Sequence, residues 1–566
     1  MMATVVQTEM VGEPESSQGD SGGLQRGISW TGAFWIASGV PALVLFSIGS
    51  IGATVGMASW LVWTISICFG FIQAFSYAEI AGLFPHKSGG ASVYGAVAWV
   101  RYSKLFAPVS VWCNWLAWSP VLSIGSGLAA GYVLSILFGP DAAINSWHVT
   151  LADMGWLRAG LTLRINATFF LGAAILLVAF AIQHRGIGST ARVQVILGVI
   201  ALLPLILIGL VPFLTGDVLT SNLLPIAPLA HDAAGRVVPG AWDRTGITLF
   251  AGGLFIAAWS TYGFETAVCY TREFRNPRTD TFKAILYSGL LCIFVFTLVP
   301  ISFQGVLGVG QMITPAVLDA AGNVVTPAAY SGILSSDIAS GMGVGKAMSG
   351  MIAAGPAIAN IIVVMMILAL MLAIITSMAG SSRTLYQASV DGWLPRYLGR
   401  TNAAGAPTSA MWTDLGFNLI LLSMSDYVFV LAISNVCYIM FNFLNLNSAW
   451  IHRMDRPEWE RPYKAPTLLL AAGTLLSFVN LILMGLGADV WGKGTLVTGI
   501  AVVALIVPVF AWRHYVVDKG RFPAAMTDDM HLEGEPGVKA GARLLPYLTV
   551  AAGVAVVVVA RMLARY

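Results

Sequence analysis

The sequence predicts an all-helical protein that crosses a membrane many times, and three observations support this fold class. Of the 566 residues, 57% are hydrophobic and only 10% are charged, whereas a soluble domain normally carries about 25% charged residues. The apolar residues form continuous runs, which favours helices over the alternating strands of a membrane barrel. The net charge of +3 is too small to indicate a nucleic-acid partner. Disordered proteins, disulfide scaffolds and ordinary soluble enzymes are excluded by the same composition.

Twelve apolar segments are long enough to cross the hydrocarbon core, which requires about 20 residues in a helix. We number them spans 1 to 12: 28–50, 54–83, 106–137, 163–183, 190–213, 246–272, 283–307, 352–382, 408–424, 427–450, 466–487 and 495–512. A thirteenth stretch, 544–563, is interrupted late by Arg561, and either crosses the membrane or lies against the bundle. The predicted divisions are a polar tail (1–27), a helical core (28–513), a polar linker (514–543) and a C-terminal hydrophobic segment (544–566).

The distribution of basic residues predicts the orientation of these spans. With a cytoplasmic N-terminus, 22 of the 30 Lys and Arg residues fall in cytoplasmic segments and six in external loops. Cytoplasmic loops of membrane proteins carry such an excess of positive charge. The first 25 residues lack the basic and apolar regions of a signal peptide. We therefore expect a multi-pass protein of the plasma (cell inner) membrane, surrounded by the lipid bilayer, with its N-terminus in the cytoplasm.

Spans 1 and 6 each contain a helix-breaking sequence near the midpoint. Span 1 holds Ser38-Gly39-Val40-Pro41-Ala42, and span 6 holds Ser260-Thr261-Tyr262-Gly263. They are the first spans of two successive groups of five, and interrupted helices at matching positions of inverted repeats mark a ligand site. Alternatively, these Gly and Pro residues only kink the helices or let neighbours approach. A second Gly-rich run, 47–52, is another candidate for the break in span 1.

Four groups of motifs occur in order along the chain. They are Ser76-Tyr77-Ala78-Glu79-Ile80-Ala81-Gly82-Leu83-Phe84-Pro85 with Ser88-Gly89-Gly90 and Tyr94; Gly263-Phe264-Glu265 with Arg272-Glu273 and Asn276-Pro277-Arg278; Ser382-Arg383-Thr384-Leu385-Tyr386 with Asp391-Gly392-Trp393-Leu394-Pro395 and Gly405-Ala406-Pro407; and Arg461-Pro462-Tyr463-Lys464-Ala465-Pro466. Together they make residues 26–513 resemble the amino acid–polyamine–organocation (APC) transporters.

The resemblance implies a fold and an activity. The fold is the five-plus-five inverted repeat of leucine-transporter-like proteins, with helices 1 and 6 broken and two further helices. The activity is secondary active transport of amino acids or related amines by alternating access, with no enzymatic reaction. The partner is a small-molecule substrate, and neither a cofactor nor a metal is expected.

The resemblance also implies which residues bind the substrate. In the family, backbone N–H groups at the break of span 1 bind the substrate carboxylate, and the break of span 6 binds the amino group. The corresponding residues are Ser38, Gly39, Val40, Ala42, Trp259, Ser260, Thr261, Tyr262, Gly263 and Glu265. This chain departs from the family's Gly-x-Gly run in span 1, because Pro41 removes one backbone donor.

The sequence leaves the identity of the coupling ion open. Many proton-linked relatives carry a lysine in span 5 after a Val-Gln pair, and Ala201 occupies that position here. Coupling to sodium, exchange and another proton carrier all remain compatible with the sequence. The candidate ion-coupling residues are Glu265, Thr376 and Ser377. Alternatively, the hydroxyl groups of Thr376 and Ser377 bond back to their own helix.

Glu265 is the embedded charge of greatest interest. An uncompensated charge at the membrane centre costs about 2.5–3.5 kcal/mol on insertion scales, so an embedded carboxylate is a functional candidate. Glu265 either attracts an amino group or carries a proton, or else it caps a half-helix or pairs with a neighbour.

Other charged and aromatic residues have local interpretations. We expect Glu79 to pair with basic loop residues at an inner gate, and Arg383 to close span 8 at the cytoplasmic surface with a gating role. Asp414 is expected at the cytoplasmic interface. Trp112, Trp115 and Trp118 recur every three residues in span 3, a spacing typical of helix packing, and span 10 offers Asn435, Tyr438 and Asn442 as inward-facing candidates.

The sequence suggests three candidate functions for this protein. The first is an amino acid permease, and the second is a polyamine or other organic-cation transporter or exchanger of the same fold, which would use Glu265 and a second acid. The third, a membrane enzyme, is disfavoured because the seven His residues are scattered and no catalytic motif is present. The oligomeric state and the direction of transport are left open.

Overall fold

The computed structural model describes residues 27–139, 142–318, 324–353, 355–530 and 541–564. Most of the predicted polar tail and residues 531–540 of the predicted linker therefore lie outside the described residues. Within the described part, ten helical segments are long and apolar enough to cross a membrane: Trp30–Gly82, Phe106–Leu137, Val193–Thr215, Arg244–Glu273, Pro277–Leu307, Pro356–Val390, Tyr427–Asp455, Thr467–Trp491, Thr495–Val517 and Leu545–Leu563. The chain is a polytopic, mostly helical membrane protein.

Helices occur at each predicted span, but those at spans 4 and 9, Ala167–Gln183 and Thr408–Leu422, are shorter than the ten segments above. The α-helices are Trp30–Ala37, Val44–Val55, Ser59–Gly82, Ala91–Trp99, Phe106–Trp118, Pro120–Leu137, Ala143–Ser146, Ala167–Gln183, Ile187–Thr215, Arg244–Thr261, Pro277–Leu307, Ser336–Ala339, Val344–Ile352, Pro356–Val390, Thr408–Leu422, Tyr427–Asp455, Thr467–Gly487, Thr495–Ala504, Ile506–Ala511, Ala524–Met530 and Leu545–Leu563. The 3₁₀ helices are Val40–Leu43, Gly56–Ala58, Thr220–Asn222, Gly263–Glu273, Gly332–Leu334, Arg396–Gly399 and Ala488–Trp491, and Trp512–Val517 is a π-helix.

Span 1 is interrupted at the predicted sequence. Its first α-helix ends at Ala37, a 3₁₀ helix covers Val40–Leu43, and an α-helix resumes at Val44. Pro41 has no N–H group to donate to the carbonyl four residues earlier, which weakens an α-helix at this point. The alternative break at residues 47–52 is wrong, because that run lies inside the α-helix Val44–Val55.

Span 6 also changes its helical form where the sequence predicts a break. Its α-helix ends at Thr261, and the chain continues from Gly263 to Glu273 as a 3₁₀ helix. A 3₁₀ helix is narrower and rises further per residue, so it places Glu265 differently from an α-helix.

The loops contain strands that the all-helical prediction did not include. In the described loops, four antiparallel pairs join His148–Asp153 with Thr162–Asn166, Leu229–His231 with Val237–Pro239, Met312–Thr314 with Ala329–Tyr330, and Val317–Leu318 with Val324–Thr326. Open strand edges are tolerated in loops because water, unlike lipid, can satisfy their backbone groups. Because Thr162–Asn166 is a strand, the helix of span 4 begins at Ala167 and not at residue 163. The Asn166 side chain caps this helix by accepting from the Phe169 N–H at 2.8 Å.

Span 8 is displaced from its predicted position of 352–382. The helix runs from Pro356 to Val390, and Gly392, with φ of 90°, lies just beyond its end. A left-handed glycine at this place is a common helix terminator. The expectation that Arg383 closes the span is therefore wrong, because the helix continues for seven residues beyond it.

The C-terminal helix Leu545–Leu563 packs along Thr467–Gly487. Near its start, Ala542 N–H donates to Asp455 Oδ1 at 2.9 Å and Tyr547 Oη donates to the Tyr102 carbonyl at 2.6 Å. Near its end, Arg561 forms an ion pair with Asp489 at 2.6 Å, and Arg244 donates to the Leu563 carbonyl. The two ends of this helix thus contact different ends of the bundle.

Candidate functional site

The interruptions of spans 1 and 6 contact each other. A Cβ atom placed on Gly263 would lie 3.0 Å from the Val40 side chain and 2.9 Å from the ring of Trp118. On the other side of the break, a Cβ atom on Gly39 would lie 2.6 Å from Thr376 Oγ1. Since neither glycine has room for a side chain, both allow the interrupted segments to approach their neighbours closely. Spans 1, 3, 6 and 8 therefore meet around these two glycines.

Glu265 lies beside this contact and is 2% exposed. Its Oε1 accepts a hydrogen bond from Trp118 Nε1 at 3.1 Å. Among the described residues, no Lys, Arg or His forms an ion pair with Glu265, so the alternative that it pairs with a neighbouring cation receives no support. A buried carboxylate without a cation is costly, and either a proton or the ammonium group of a ligand would compensate its charge.

Trp118, which donates to this carboxylate, belongs to a cluster of aromatic rings. The ring of Trp118 stacks on Trp259 at 6.1 Å between centroids and meets Tyr438 edge-on at 5.5 Å, while Tyr438 lies 5.9 Å from Tyr262. All four side chains are at most 2% exposed. Aromatic faces attract ammonium groups through the negative face of the ring. A carboxylate among these rings is therefore chemically suited to bind an organic ammonium group.

Trp118 is the site residue that the sequence interpretation missed. Its spacing with Trp112 and Trp115 predicted helix packing, and Trp112 does donate to the Val502 carbonyl at 3.1 Å. Trp118, however, donates to Glu265. An embedded carboxylate needs a hydrogen-bond donor, and the three tryptophans of span 3 each offer an indole N–H group. The sequence did not show which of the three faces Glu265.

The break of span 1 offers few free backbone donors. The N–H group of Ser38 donates to the Trp35 carbonyl at 3.3 Å, and that of Ala42 donates to the Gly39 carbonyl at 3.2 Å. Ser38 Oγ also donates to the Trp35 carbonyl, at 2.6 Å. With Pro41 lacking an N–H group, the N–H groups of Gly39 and Val40 are the remaining candidates for binding a carboxylate.

The predicted hydroxyl groups of span 6 are directed to protein atoms. Ser260 and Thr261 both donate to the Ala257 carbonyl, at 3.2 and 2.9 Å. Tyr262 Oη donates to Asn480 Oδ1 at 3.2 Å. These residues therefore contribute backbone and ring surface to the site and not free hydroxyl groups.

A buried chain of amide groups extends from Tyr262. Asn480 donates to Asn442 Oδ1 at 3.3 Å, and Asn442 donates to Gln73 Oε1 at 3.0 Å and to Tyr77 Oη at 2.6 Å. Asn442 was among the inward-facing candidates, but its partners in spans 2 and 11 were not predictable. The chain connects the break of span 6 with spans 2, 10 and 11.

Thr376 lies at a second polar position, between spans 1, 5 and 8. Its Oγ1 donates to the Ile36 carbonyl at 2.5 Å and accepts from Gln194 Nε2 at 3.3 Å. Gln194 Oε1 is buried and has no hydrogen-bond partner among the described residues. Ser377, which is 4% exposed, follows directly. Neutral oxygen atoms concentrated beside a helix break are suitable ligands for a small hard cation.

The expected pairing of Glu79 with basic residues is present. Glu79 accepts from Arg453 at 2.5 Å, from Arg461 at 3.2 Å and from the Ala465 N–H at 2.8 Å. It therefore connects the end of span 2 with the end of span 10 and the loop before span 11. Its role in a gate stays a prediction.

Two further ion pairs are buried within the protein. Arg383 pairs with Glu273, at 2% and 1% side-chain exposure, and Lys87 pairs with Asp391 at 2.6 Å, at 2% and 0%. Arg383 thus joins span 8 to the end of span 6. An arginine without a partner is expected at the membrane surface, which is why the sequence predicted that position for Arg383. In the structure, Glu273 provides a partner for it inside the protein.

The expected position of Asp414 at the cytoplasmic interface is wrong. Asp414 is 0% exposed and accepts from Trp115 Nε1 at 2.9 Å and Ser119 Oγ at 2.5 Å. Ser381 of span 8 donates to its other oxygen. Hydrogen-bond donors from spans 3 and 8 compensate the burial of this carboxylate. The local sequence around Asp414 does not contain these donors and could not predict them.

A membrane-embedded helical bundle with a buried polar site between interrupted helices is the architecture of a membrane transporter. A family model described as amino acid permease matches residues 28–507 of this chain. The chain belongs to the amino acid permease family, within the APC superfamily that its motifs resemble.

Relatives of the chain include transporters of several kinds. The polyamine transporter PUT1 of Oryza sativa subsp. japonica is 22% identical over 474 residues, which cover 81% of this chain and 75% of that protein. The branched-chain amino acid permease BcaP of Lactococcus lactis subsp. cremoris is 22% identical over 445 residues, which cover 75% and 80%. The L-methionine/branched-chain amino acid exporter YjeH of Escherichia coli is 25% identical over 278 residues, which cover 48% and 54%.

Proposed function

We propose that this protein is a secondary active transporter of amino acids that works by alternating access around the breaks of spans 1 and 6. The observation that carries the proposal is Glu265, a buried carboxylate without a cationic partner among the described residues, which accepts from Trp118, a ring packed against Trp259 and Tyr438. In this proposal the substrate ammonium group binds between Glu265 and the rings, and the carboxylate binds the N–H groups of Gly39 and Val40. The five-plus-five inverted repeat is part of the proposal, supported by the contact between Val40 and Gly263.

A second candidate substrate class is an amine without a carboxylate, such as a polyamine. The specific observation in its favour is the small number of free donors at the break of span 1, where Ser38 and Ala42 are engaged and Pro41 has none. One relative is named a polyamine transporter and others are named amino acid permeases, so the comparison supports both classes.

The coupling ion is proposed to bind near Thr376 or to be a proton on Glu265. The unpartnered Gln194 Oε1, together with Thr376 Oγ1 and the Ile36 carbonyl, supports a sodium ion between spans 1, 5 and 8. The buried carboxylate of Glu265, which has no cationic partner among the described residues, supports a proton as the coupling ion. These two locations involve different residues, so an imposed gradient can distinguish them.

The test is uptake by the purified protein in proteoliposomes, with one panel of labelled amino acids and one of labelled diamines. We expect uptake of at least one amino acid above protein-free vesicles, stimulated by an inward gradient of either sodium or protons. If only diamines were taken up, the proposed substrate class would be amines and not amino acids. The absence of gradient-stimulated uptake and of exchange with both panels would contradict the proposed function.

We also propose that the chain crosses the membrane thirteen times, with a cytoplasmic N-terminus. The helix Leu545–Leu563 has 19 residues and is about 28 Å long at 1.5 Å per residue, close to the hydrocarbon thickness of about 30 Å. It begins beside Tyr102 and Asp455, which the charge distribution places in the cytoplasm. It ends beside Asp489 and Arg244, on the external side.

Alkaline phosphatase fused after Tyr566 is therefore expected to be active, because the enzyme folds only outside the cytoplasm. The matched control is the same reporter fused after Gly520, which precedes the last helix and is expected to be inactive. An inactive reporter at both positions, with both fusions present in the membrane, would indicate twelve crossings.

A further inference from the structure

A cavity of about 470 Å³ lies where the end of span 8 meets the chain that follows span 12. Its lining includes Arg396, Arg513 and Arg521, with Asp518 as a counter-charge and Phe522 as part of the wall. None of these residues belongs to the substrate site. In the topology proposed above, the cavity opens on the cytoplasmic side of the membrane.

Among the described residues that line this cavity, positive charge exceeds negative charge. Asp518 accepts from Arg513 at 2.5 Å and from Arg396 at 2.6 Å. Burial alone would raise the pKa of Asp518, but the hydrogen bonds from Arg513 and Arg396 lower it, so the carboxylate is ionised. Arg521 has no ion-pair or hydrogen-bond partner for its side chain among the described residues. In the described part of the lining, three guanidinium groups therefore accompany one carboxylate.

A tight turn directs Arg521 towards the cavity. Lys519, with φ of 52°, and Gly520, with φ of 78°, are consecutive left-handed residues. A lysine in this conformation is strained, and such residues persist where surrounding contacts hold them. The Gly520 N–H donates to the His514 carbonyl at 2.8 Å and the Arg521 N–H donates to the Asp518 carbonyl at 3.1 Å. The turn therefore holds the backbone of Arg521 against the end of span 12.

Exposed aromatic residues indicate the depth of the cavity. Trp512 and Tyr515, just before the turn, are 51% and 61% exposed, and Tyr397, next to Arg396, is 46% exposed. Tyr and Trp are enriched where the membrane meets water, at the level of the lipid headgroups. The cavity thus opens at the depth of the headgroups of the cytoplasmic leaflet, which contains anionic lipids.

We propose that this cavity binds the phosphate of an anionic phospholipid headgroup. Guanidinium groups match the geometry of phosphate oxygens and can bind two of them at once. Arg521 would supply the free guanidinium group, and the exposed Arg396 would share its N–H groups between Asp518 and the phosphate. Arg513, which is 3% exposed and also donates to the Leu394 carbonyl at 2.8 Å, would contribute its positive charge. The lipid chains would extend along the exposed apolar surface of span 12.

The test compares lipid retention by the purified full-length protein in native mass spectrometry, with phosphatidylglycerol, phosphatidylcholine and inorganic phosphate as probes. We expect preferential retention of phosphatidylglycerol, reduced about fivefold in Arg521→Gln and further in Arg396→Gln/Arg521→Gln, because each basic residue near a membrane surface contributes about a fivefold change in binding. The matched control is Arg400→Gln, which removes the same charge from an exposed cytoplasmic residue outside the cavity.

The outcomes are distinct. Equal retention by wild type and Arg521→Gln, or an equal loss in Arg400→Gln, would overturn the proposal. Binding of inorganic phosphate as tight as that of phosphatidylglycerol would identify free phosphate as the ligand and overturn the lipid assignment. Because Glu265 does not line this cavity, substrate uptake is measured separately and its failure would concern only the proposed function.

Discussion

Replacing Glu265 by Gln is expected to lower the rate of substrate uptake roughly 10- to 100-fold, with the amount of protein in the membrane unchanged. The amide has the same shape and still accepts from Trp118 Nε1, so only the charge is removed. Hydrogen bonds to charged groups contribute about 1.5–3 kcal/mol, and each 1.4 kcal/mol corresponds to about a tenfold change in affinity. The measurement is initial uptake in proteoliposomes over a range of substrate concentrations.

Two controls separate the loss of charge from general damage. Glu460→Gln removes a carboxylate that is 69% exposed and pairs with Arg278 at the surface, and uptake should be unchanged. Trp118→Phe keeps the charge of Glu265 but removes its hydrogen-bond donor, and a smaller loss is expected. Full uptake by Glu265→Gln, with an unchanged dependence on the imposed gradient, would contradict the role proposed for this residue.

Replacing Arg383 by Ala is expected to destabilise the fold by about 3–5 kcal/mol, because it leaves the buried Glu273 without its cation. The result should appear as a large decrease in the midpoint of thermal unfolding in detergent, measured by size-exclusion chromatography of the heated protein. Arg383→Met combined with Glu273→Gln should recover part of the loss, since the double variant contains no unpaired charge.

The matched control for this pair is Arg278–Glu460, whose side chains are 67% and 69% exposed. Exposed ion pairs contribute about 0–1 kcal/mol, so Arg278→Ala should barely change the midpoint. If Arg383→Ala and Arg278→Ala had the same effect, the buried pair would not stabilise the connection between spans 6 and 8. A double variant as unstable as Arg383→Ala would show that the cost comes from lost packing and not from the uncompensated charge of Glu273.

Much of the helical architecture was predictable because it depends on local chemistry. A run of about 20 apolar residues is sufficient to identify a membrane helix, since lipid cannot bond to exposed backbone groups. The break of span 1 was predictable from Pro41 for an equally local reason, the missing N–H group. The end of span 8 was misplaced because hydropathy alone could not recognise polar residues such as Thr384 and Gln387 as part of a buried helix.

The sequence by itself determined the class of protein, the order of the spans and the presence of Glu265 beside an interrupted helix. Only the tertiary structure decided which partners meet these residues. Trp118 and Glu265 are 147 positions apart in the chain, and Arg383 and Glu273 are 110 apart. Helical periodicity relates residues three or four positions apart, and it has no bearing on contacts over such separations. Whether a buried charge finds a cation, as Glu273 does, or only an indole N–H group, as Glu265 does, depends on how the helices pack.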